Sequence, residues 1–386
     1  MTRWAWAEID LDAIRHNVEL LRRLVAPSGL WAVVKADGYG HGAVAVARAA
    51  IDAGAEGLCV ALVREGVELR SAGVVAPILL LSEQPLEQAE TIVRHDLTAT
   101  VYSADAIGAL ADAARAAGRS EIGVHLKIDT GMQRVGAAPA DAAALVSSVA
   151  AHWPRLRLLG IFTHLAVADE PDHPFTATQL ARFDDVLAEL GGRVPPMVHA
   201  ANSAAALAAP AARRSFVRAG IAVYGISPGH GVDERCGELR AALSLRARVS
   251  HVKTVRAGSR ISYGLRHTFE RDTTVATIPI GYADGVPRRL WAVGGAVLIG
   301  GRRCPIVGVV TMDQLMVDCG PGAVVARGDE AVLIGAQDGP DGTQRIRAED
   351  WADALDTIGY EIVCGIGPRV PRVARPRGLS GRSIDG

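Results

Sequence analysis

Apolar residues near the start of the chain follow a helical spacing. They recur at steps of three or four between Leu11 and Val25, and most of the charged residues between them fall on the opposite face. This pattern predicts an amphipathic helix. The apolar run that follows at residues 30–34 predicts a strand buried on both faces of a parallel sheet.

Short apolar runs then alternate with Ala-rich helical stretches up to about residue 220. Seven runs follow the first one, at residues 57–61, 77–81, 97–101, 122–128, 158–163, 197–199 and 215–218. Helical segments such as residues 104–117 and 177–190 separate them. Eight repeats of a strand and a helix predict a (β/α)8 barrel of the TIM type.

The pattern changes near residue 241, where long helical stretches give way to alternating and apolar runs separated by turns. These runs lie at residues 243–255, 273–280, 295–299, 303–310, 314–318 and 330–334. They predict a mainly β domain. We therefore expect a barrel over residues 1–236 and a β domain over residues 237–386. Whether a first strand near residues 1–10 packs on the β domain is left open.

Composition and charge narrow the possible functions. The chain of 386 residues suits two domains, and a hydrophobic fraction of 49% supplies a core for both. The 41 basic and 42 acidic residues give a formal net charge of -1. This balance provides no general field that would attract nucleic acid or an anionic membrane, so we expect neither as a partner.

The cysteines and the first residues bear on the compartment. The five cysteines are scattered and form no CxxC pair, which disfavours a disulfide framework and a structural zinc site. The first residues lack the apolar run of a signal peptide. No stretch approaches the roughly 20 apolar residues of a membrane span. These features predict a cytoplasmic protein.

Polar side chains lie at the carboxyl ends of five predicted strands, namely Lys35, Lys127, His164, His199 and Arg218. Barrel enzymes assemble their active sites at this end of the strands. Taken singly, a solvated lysine or a histidine satisfied within the core would explain each residue, but five on one rim are hard to explain as packing. A partly desolvated lysine can form an imine with an aldehyde cofactor.

The residues around Lys35 resemble the cofactor-lysine signature of alanine racemases. Other segments are similar to that family, in family order, along nearly the whole chain. The similar segments are residues 33–42 (VVKADGYGHG), 125–134 (HLKIDTGMQR), 160–164 (GIFTH), 202–205 (NSAA), 217–225 (VRAGIAVYG), 262–264 (SYG), 279–285 (PIGYADG) and 312–314 (MDQ). So many motifs in order make a coincidence implausible.

The resemblance implies a homodimeric, pyridoxal-phosphate-dependent enzyme that interconverts L- and D-alanine and supplies D-alanine for peptidoglycan. It implies that Lys35 carries the cofactor and that Tyr263 of the partner subunit is the opposing acid/base group. The cofactor-binding residues would be Lys35, Tyr39, His164, Asn202, Ser203, Arg218, Gly220, Ile221 and Tyr360. Arg134 and Met312 would bind the substrate, with Lys127, His199, Tyr282 and Asp313 in support.

The resemblance also gives Arg218 and Lys127 particular roles. Arg218 would face the ring nitrogen of the cofactor; an arginine keeps its proton, so that nitrogen stays unprotonated and the ring is a weaker electron sink. The alternative for Arg218 is a structural pair with a carboxylate. For Lys127, two alternatives stay open. One is a carbamylated lysine that orients Arg134, as in some family members, and the other is a lysine paired with Asp129.

Three positions depart from the family pattern. Thr311, Gln133 and Gly38 stand where many members have Cys, Gly and Ala. None of these departures removes a reacting group, although Thr311 leaves no thiol at the entrance of the site.

Other functions occur on related scaffolds. A racemase of broader specificity would share the same motifs. A non-catalytic cofactor carrier would match over the barrel only, and a related decarboxylase fits the Tyr263 and Arg218 motifs poorly. A zinc-assisted dehydratase of this cofactor class would need a His/Cys pair in the β domain, and no HxC motif follows His267, so no metal is predicted.

Overall fold

The computed structural model describes residues 3–375. The contacts divide the chain into two compact units. The first, called here the barrel unit, comprises Ala13–Arg240. The second, called the β unit, comprises residues 3–12 and residues 241–375. It includes the first strand, β1 (Ala5–Ile9).

Eight parallel strands form the sheet of the barrel unit. They are β2 (Gly29–Val33), β3 (Gly57–Val60), β4 (Ile78–Leu80), β5 (Ala99–Val101), β6 (Ile122–Lys127), β7 (Leu156–Phe162), β8 (Met197–His199) and β9 (Phe216–Ala219). They pair in the orders β4-β3-β2-β9 and β5-β6-β7-β8. Backbone hydrogen bonds join the two halves at both seams, from Leu80 to Thr98 at 3.0 Å and from Ser215 to Val198 at 2.9 Å. The sheet is therefore closed.

Helices connect the strands of the barrel unit. They are α1 (Leu11–Val25), α2 (Lys35–Tyr39), α3 (Ala43–Asp52), α4 (Val63–Ser71), α5 (Ala89–Arg94), α6 (Ala104–Ala116), α7 (Ala142–Ala151), α8 (Phe175–Leu190) and α9 (Ser203–Ala208). The apolar stripe of α1 is buried, with Ile14, Val18 and Leu21 fully inaccessible, as its spacing predicts. Within residues 3–375, no helix is both long and apolar enough to cross a membrane.

The β unit contains three sheets. Its strands after β1 are β10 (Leu243–Arg248), β11 (His251–Val255), β12 (Arg260–Ile261), β13 (His267–Thr268), β14 (Thr273–Ile278), β15 (Ala296–Ile299), β16 (Arg302–Pro305), β17 (Leu315–Gly320), β18 (Glu330–Gly339), β19 (Gly342–Ile346) and β20 (Arg372–Ala374). The largest sheet has the order β16-β15-β18-β10-β1-β20, with β19 paired to β18. Strands β11, β14 and β17 form the second sheet, and β12 and β13 form the third.

The fold class predicted from the sequence, a barrel followed by a mainly β domain, is confirmed. One strand prediction is wrong. Residues 243–255 do not form a single strand, because backbone bonds at Val249 and Ser250 lead to Asp329 and Thr277 respectively. This break sends β10 and β11 into different sheets. Two short helices, α10 (Ala348–Leu355) and α11 (Gly359–Cys364), were not predicted.

Candidate active site

Lys35 follows β2 and begins a tight left-handed turn. Ala36, Asp37 and Gly38 have φ values of 53°, 53° and 60°. This conformation costs about 1–2 kcal/mol for each residue that carries a side chain. Two carboxylates hold the turn: Glu65 accepts the backbone N–H of Ala36 at 2.7 Å, and Asp37 accepts that of Ala43 at 2.8 Å. Strained backbone of this kind collects at functional sites, and here it fixes the half-buried lysine with Nζ 6.0 Å from the centroid of the Tyr39 ring.

Arg218, near the end of β9, is a buried cation surrounded by neutral acceptors. Its Nη1 donates to His199 Nδ1 at 2.6 Å, and its Nη2 donates to the carbonyl oxygens of Thr163 and Ala200 at 2.9 and 3.0 Å. His164 Nδ1 lies 3.4 Å from Nη2. Burial lowers the pKa of Arg218 to about 10, so it stays charged at neutral pH. No carboxylate within residues 3–375 pairs with it, so the structural ion pair considered from the sequence is not found.

The arginine orders two buried histidines. Because arginine only donates, Nδ1 of neutral His199 accepts and its proton resides on Nε2. That nitrogen lies 2.9 Å from His125 Nδ1 and donates to it. Burial and the charge of Arg218 lower the pKa of His125 to about 3 and that of His199 well below 6.5. Both rings are therefore neutral, and they fix the plane of the guanidinium group.

Lys127, the last residue of β6, is also buried. Its Nζ donates to the carbonyl oxygen of Leu81 at 3.4 Å. Burial and the charges of Arg218 and Arg134 lower the pKa of Lys127 to about 8. The Lys127 amine therefore loses its proton at a lower pH than the amine of an exposed lysine does. Lys127, Arg134 and His164 line one small space in the barrel unit.

Asp129 holds the loop that carries Arg134. Its Oδ1 accepts the backbone N–H groups of Gly131 and Gln133 at 2.9 and 3.1 Å, and its Oδ2 accepts that of Arg134 at 3.1 Å. Within the described residues, Asp129 forms no ion pair with Lys127, so that alternative is not found. The side chain of Arg134 is exposed, and the contact with Asp129 fixes the position of its backbone.

A cluster of groups that could donate hydrogen bonds to an anion lies where β9 ends and α9 begins. Ser203 Oγ accepts the backbone N–H of Gly220 at 2.8 Å, and Ile221 follows in a buried turn. A Cβ at position 220 would lie 2.6 Å from Tyr39 Oη, so any side chain here would displace the Tyr39 hydroxyl. The N-cap of α9 is Asn202, whose Oδ1 accepts from the backbone of Ala205 at 3.0 Å. The hydroxyl of Ser203 is therefore not needed as the cap.

Three predicted site residues in the β unit are accessible to solvent within their own chain. The exposed fractions are 72% for Tyr263, 42% for Tyr282 and 52% for Met312. We call these three residues the exposed face. Aromatic and thioether side chains are usually buried, so their common exposure requires an explanation.

Two hydrogen bonds connect the segments that carry the exposed face, one from a side chain and one from the backbone. Ser262, with φ of 64°, donates its hydroxyl to the carbonyl oxygen of Val309 at 2.7 Å. The N–H of Tyr282 donates to the carbonyl oxygen of Thr311 at 3.0 Å. The Tyr263 turn and the Tyr282 turn are thus both attached to the segment that contains Met312.

A buried carboxylate supports the same part of the β unit. Asp284 is fully buried; it accepts from Arg3 at 2.5 Å and from the N–H of Gly281 at 3.0 Å. Arg369 connects it to Asp313, with distances of 3.4 Å to Asp284 and 2.7 Å to Asp313. The predicted supporting residue Asp313 is therefore tied to a buried charge network.

The predicted site residues fall into two groups. The barrel unit contains Lys35, Tyr39, Lys127, Arg134, His164, His199, Asn202, Ser203, Arg218, Gly220 and Ile221. The β unit contains Tyr263, Tyr282, Met312, Asp313 and Tyr360, the last half-buried in α11.

The pKa of His164 reflects its burial and the positive charges of the barrel unit. Burial and the charges of four barrel residues lower this pKa well below 6.5; the four residues are Arg218, Lys127, Arg134 and Lys35. These cations therefore lie near one another.

Sequence reasoning assigned no role to His125 or Asp284. His125 could have been found, because it stands two residues before Lys127 on one strand and so shares its face. Asp284 could not, since its partner Arg3 is distant in the sequence. Within residues 3–375, no group of three or more His, Cys, Asp or Glu side chains is arranged to hold a metal ion.

Two family models match the chain in succession. The model described as alanine racemase, N-terminal domain, matches residues 9–228, and the model described as alanine racemase, C-terminal domain, matches residues 242–374. The chain belongs to the alanine racemase family. A cofactor carrier would be similar over the barrel only, so the match to the second model disfavours that alternative.

Individual alanine racemases are similar over almost the whole length. The enzyme of Symbiobacterium thermophilum is 49% identical over 372 residues, which are 96% of this chain and 97% of that one. The enzyme of Thermobifida fusca is 47% identical over 380 residues, covering 97% and 98%. The crystal structure of alanine racemase from Streptomyces lavendulae has a TM-score of 0.89 and 43% identity, covering 97% of this chain and 98% of that one.

The family identifies the reaction and the cofactor. Alanine racemases are isomerases that interconvert L- and D-alanine and depend on pyridoxal phosphate. The function predicted from the sequence, alanine racemisation with this cofactor, is thereby confirmed.

Proposed function

We propose that this alanine racemase exchanges the α-proton with two groups on opposite sides of the substrate, Lys35 and Tyr263 of the partner subunit. Racemisation removes a proton from one face of the α-carbon and returns one to the other face, so two acid/base groups must flank it. When bound, pyridoxal phosphate supplies an electron-poor ring that stabilises negative charge at the α-carbon. Lys35 acts on the face that yields D-alanine, and Tyr263 acts on L-alanine.

The barrel unit holds the cofactor at two points. Lys35 holds one end, and a cluster of hydroxyl and backbone N–H groups binds the phosphate at the other. Ser203, Gly220, Ile221 and Tyr39 receive the phosphate. Asn202 contributes by fixing the start of α9. The buried convergence of hydroxyl and backbone N–H groups supports this assignment, since such groups stabilise a phosphate without a counter-charge.

Arg218 donates to the ring nitrogen of the cofactor and keeps that nitrogen unprotonated. Within residues 3–375, its hydrogen bonds use the terminal nitrogens, and its pKa of about 10 keeps it a donor at neutral pH. His199 orients it from behind. His164, between Arg218 and the rim, contacts the phenol of Tyr263 of the partner subunit and helps it act as a base.

The substrate carboxylate is bound by Arg134 and by the backbone N–H of Met312 of the partner subunit. The charge of Arg134 helps to lower the pKa of Lys127, and both residues line the same small space, so Lys127 lies where it can orient that arginine. Asp313 stabilises the Met312 segment through Arg369. Tyr282 borders the entrance of the site.

The working form in this proposal is a homodimer with shared active sites. The barrel domain binds the cofactor, and the β domain, which includes β1 as well as the strands after residue 240, supplies residues to the partner's site. The exposure of 72% at Tyr263 carries this proposal. An acid/base phenol must be shielded from water in the working site, and residues 3–375 of its own chain do not shield it. A reducing, cytoplasmic compartment fits five cysteines that are scattered along the sequence and form no CxxC pair.

Mixing two inactive variants tests the shared site. Lys35→Ala and Tyr263→Phe should each lose at least about 10²-fold in kcat. A mixed dimer contains one site with both Lys35 and Tyr263 intact. Equal mixing with free subunit exchange should therefore restore up to about one quarter of the wild-type activity, because half of the dimers are mixed and each has one intact site.

The control mixes Lys35→Ala with the double variant Lys35→Ala/Tyr263→Phe, which leaves no intact site in any dimer. Subunit exchange is followed with two affinity tags. Demonstrated exchange without recovery of activity would contradict the assignment of Tyr263 to the partner's site.

A further inference from the structure

Two cysteines face each other across neighbouring strands of the β unit. Ile306 and Val317 form an antiparallel bridge between the end of β16 and β17, and the N–H of Val307 donates to the carbonyl oxygen of Met316 at 2.8 Å. Two residues further along each strand, this register places Cys304 directly opposite Cys319.

The register also identifies the type of pair. Directly opposed residues alternate between hydrogen-bonded and non-hydrogen-bonded pairs. Because Val307 and Met316 are hydrogen-bonded, Ile306 and Val317 are not, and the position of the two cysteines is likewise a non-hydrogen-bonded one. At such positions the Cα atoms lie about 4.5 Å apart, within the separation of about 4.4–6.8 Å that a disulfide spans.

The two thiols have different environments. Cys304 is buried, with 4% exposed, whereas Cys319 is half-buried. The hydrogen bond from the Cys304 thiol lowers the pKa of Cys319, and the same contact together with burial raises the pKa of Cys304. The more accessible thiol, whose pKa is lowered, suits the attacking role, and the buried thiol, whose pKa is raised, suits the resolving role.

A strand irregularity contributes to the accessibility of Cys319. In the pairing of β14 with β17, Val275 lies opposite Asp318 and Thr274 opposite Gly320, so a bulge leaves Cys319 without an opposite residue on β14. The extra residue of a bulge is left out of the ladder. Of the two paired cysteines, Cys319 is thus the one that a small oxidant reaches first.

We propose that Cys304 and Cys319 form a reversible oxidation site, at which hydrogen peroxide converts the two thiols into a disulfide between β16 and β17. The Cys319 thiolate attacks the peroxide, the O–O bond breaks, and one proton is taken up, which gives a sulfenic acid and one water. The Cys304 sulfur then attacks the Cys319 sulfur. The S–O bond breaks, and the departing hydroxide takes the thiol proton and leaves as a second water. The sulfurs lose two electrons in total, and the peroxide gains them.

The disulfide would close a loop that includes Met312, one of the three residues of the exposed face. Residues 305–318 lie between the two cysteines, and Met312 is among them. A cross-link at the base of this segment restricts its conformations without using any group assigned to the reaction. Cys59, by contrast, is fully buried, and burial raises its pKa to about 12, so it should resist the same oxidant.

Peptide mapping of the full-length protein tests the proposal. The protein is treated with a small excess of hydrogen peroxide, alkylated under denaturing conditions, digested and analysed by mass spectrometry. The expected product is a Cys304–Cys319 linked peptide pair, lighter by two hydrogens than the two thiol peptides, which dithiothreitol converts back. Cys59 should be recovered as an alkylated thiol.

Two variants separate the two steps. In Cys304→Ser the sulfenic acid at Cys319 has no resolving thiol, so dimedone should label Cys319. In Cys319→Ser, Cys304 should remain a thiol at the same dose. The proposal is overturned if Cys304 and Cys319 both remain thiols after the exposed Cys364 has been oxidised, or if either pairs with Cys364 instead. Peptide mapping of the wild-type protein decides the question even if a variant fails to fold.

Discussion

The two groups of site residues differ in how their own chain holds them. In the barrel unit, Arg218 and His199 are almost fully buried, and defined hydrogen bonds fix their orientation. In the β unit, Tyr263 and Met312 are more than half exposed, and only the backbone of their segments is held. Within residues 3–375, the chain itself buries and orients Arg218 and His199, whereas it leaves the side chains of the exposed face open to solvent.

This difference separates stability from activity. Removing a buried, hydrogen-bonded group leaves its partners unsatisfied and costs folding free energy. Removing a polar atom from an exposed side chain costs little in the folded monomer. Substitutions on the exposed face should therefore change catalysis with little effect on folding, and substitutions behind Arg218 should change both.

Tyr263→Phe should give the largest effect. We expect kcat to fall by about 10²–10⁴-fold, the usual contribution of one acid/base group, and the free energy of unfolding to change by less than about 0.5 kcal/mol. Exchange of the α-proton in deuterium oxide should be lost with L-alanine and largely kept with D-alanine. Equal losses with both enantiomers would contradict the division of roles between Lys35 and Tyr263.

His125 tests the buried side of the comparison through pH. Its pKa is about 3 in the folded protein and about 6.5 when unfolded. Below pH 6.5 the unfolded chain binds a proton that the folded chain does not, so stability is greatest above that pH and falls as the pH decreases toward 3. By pH 5 the loss should be about 2 kcal/mol from this residue alone.

His125→Phe removes the titrating group and keeps an aromatic ring of similar size. Its baseline stability at pH 7 should be lower because His199 loses its acceptor. The further loss between pH 7 and pH 5, measured by urea unfolding, should be smaller than in the wild type. Parallel pH profiles for the two proteins would show that His125 is not buried as a neutral ring.

Gln133→Gly should give the smallest effect. Gln133 has φ of 56°, a left-handed conformation that costs a residue with a side chain about 1 kcal/mol. Glycine should raise the free energy of unfolding by up to that amount, measured by thermal denaturation. The matched control is Gly118→Ala, at φ of 62° with open space around the added Cβ, which should lower stability by a similar amount.

The sequence predicted the barrel well because its strands are apolar on both faces. The runs near Trp31, Cys59 and Leu79 stand out against the polar helices around them, and each corresponds to a strand. The β unit was harder to predict. Its β12 and β13 have only two residues each, too few for any alternation to be visible, and the break at Ser250 depends on partners far along the chain.

The chemistry of the site was only partly visible in the sequence. The position of Lys35 after an apolar strand could be predicted from the pattern. The left-handed turn that follows it could not, because Ala36 and Asp37 do not favour such φ values. The proton positions on His199 and His125 depend on which atom of Arg218 faces them, and only three-dimensional geometry provides that information.

The place of β1 in the largest sheet has a consequence for biosynthesis. Residues 5–9 pair with β10 and with β20, and the whole barrel unit is translated between β1 and those partners. A ribosome must therefore add more than two hundred residues before β1 gains its first neighbour, while the barrel unit has all of its strands by Ala219. During synthesis the barrel unit can therefore fold before β1 finds its partner strands. Until the β unit has been synthesised, the nascent chain carries β1 as an unpaired and mostly apolar segment.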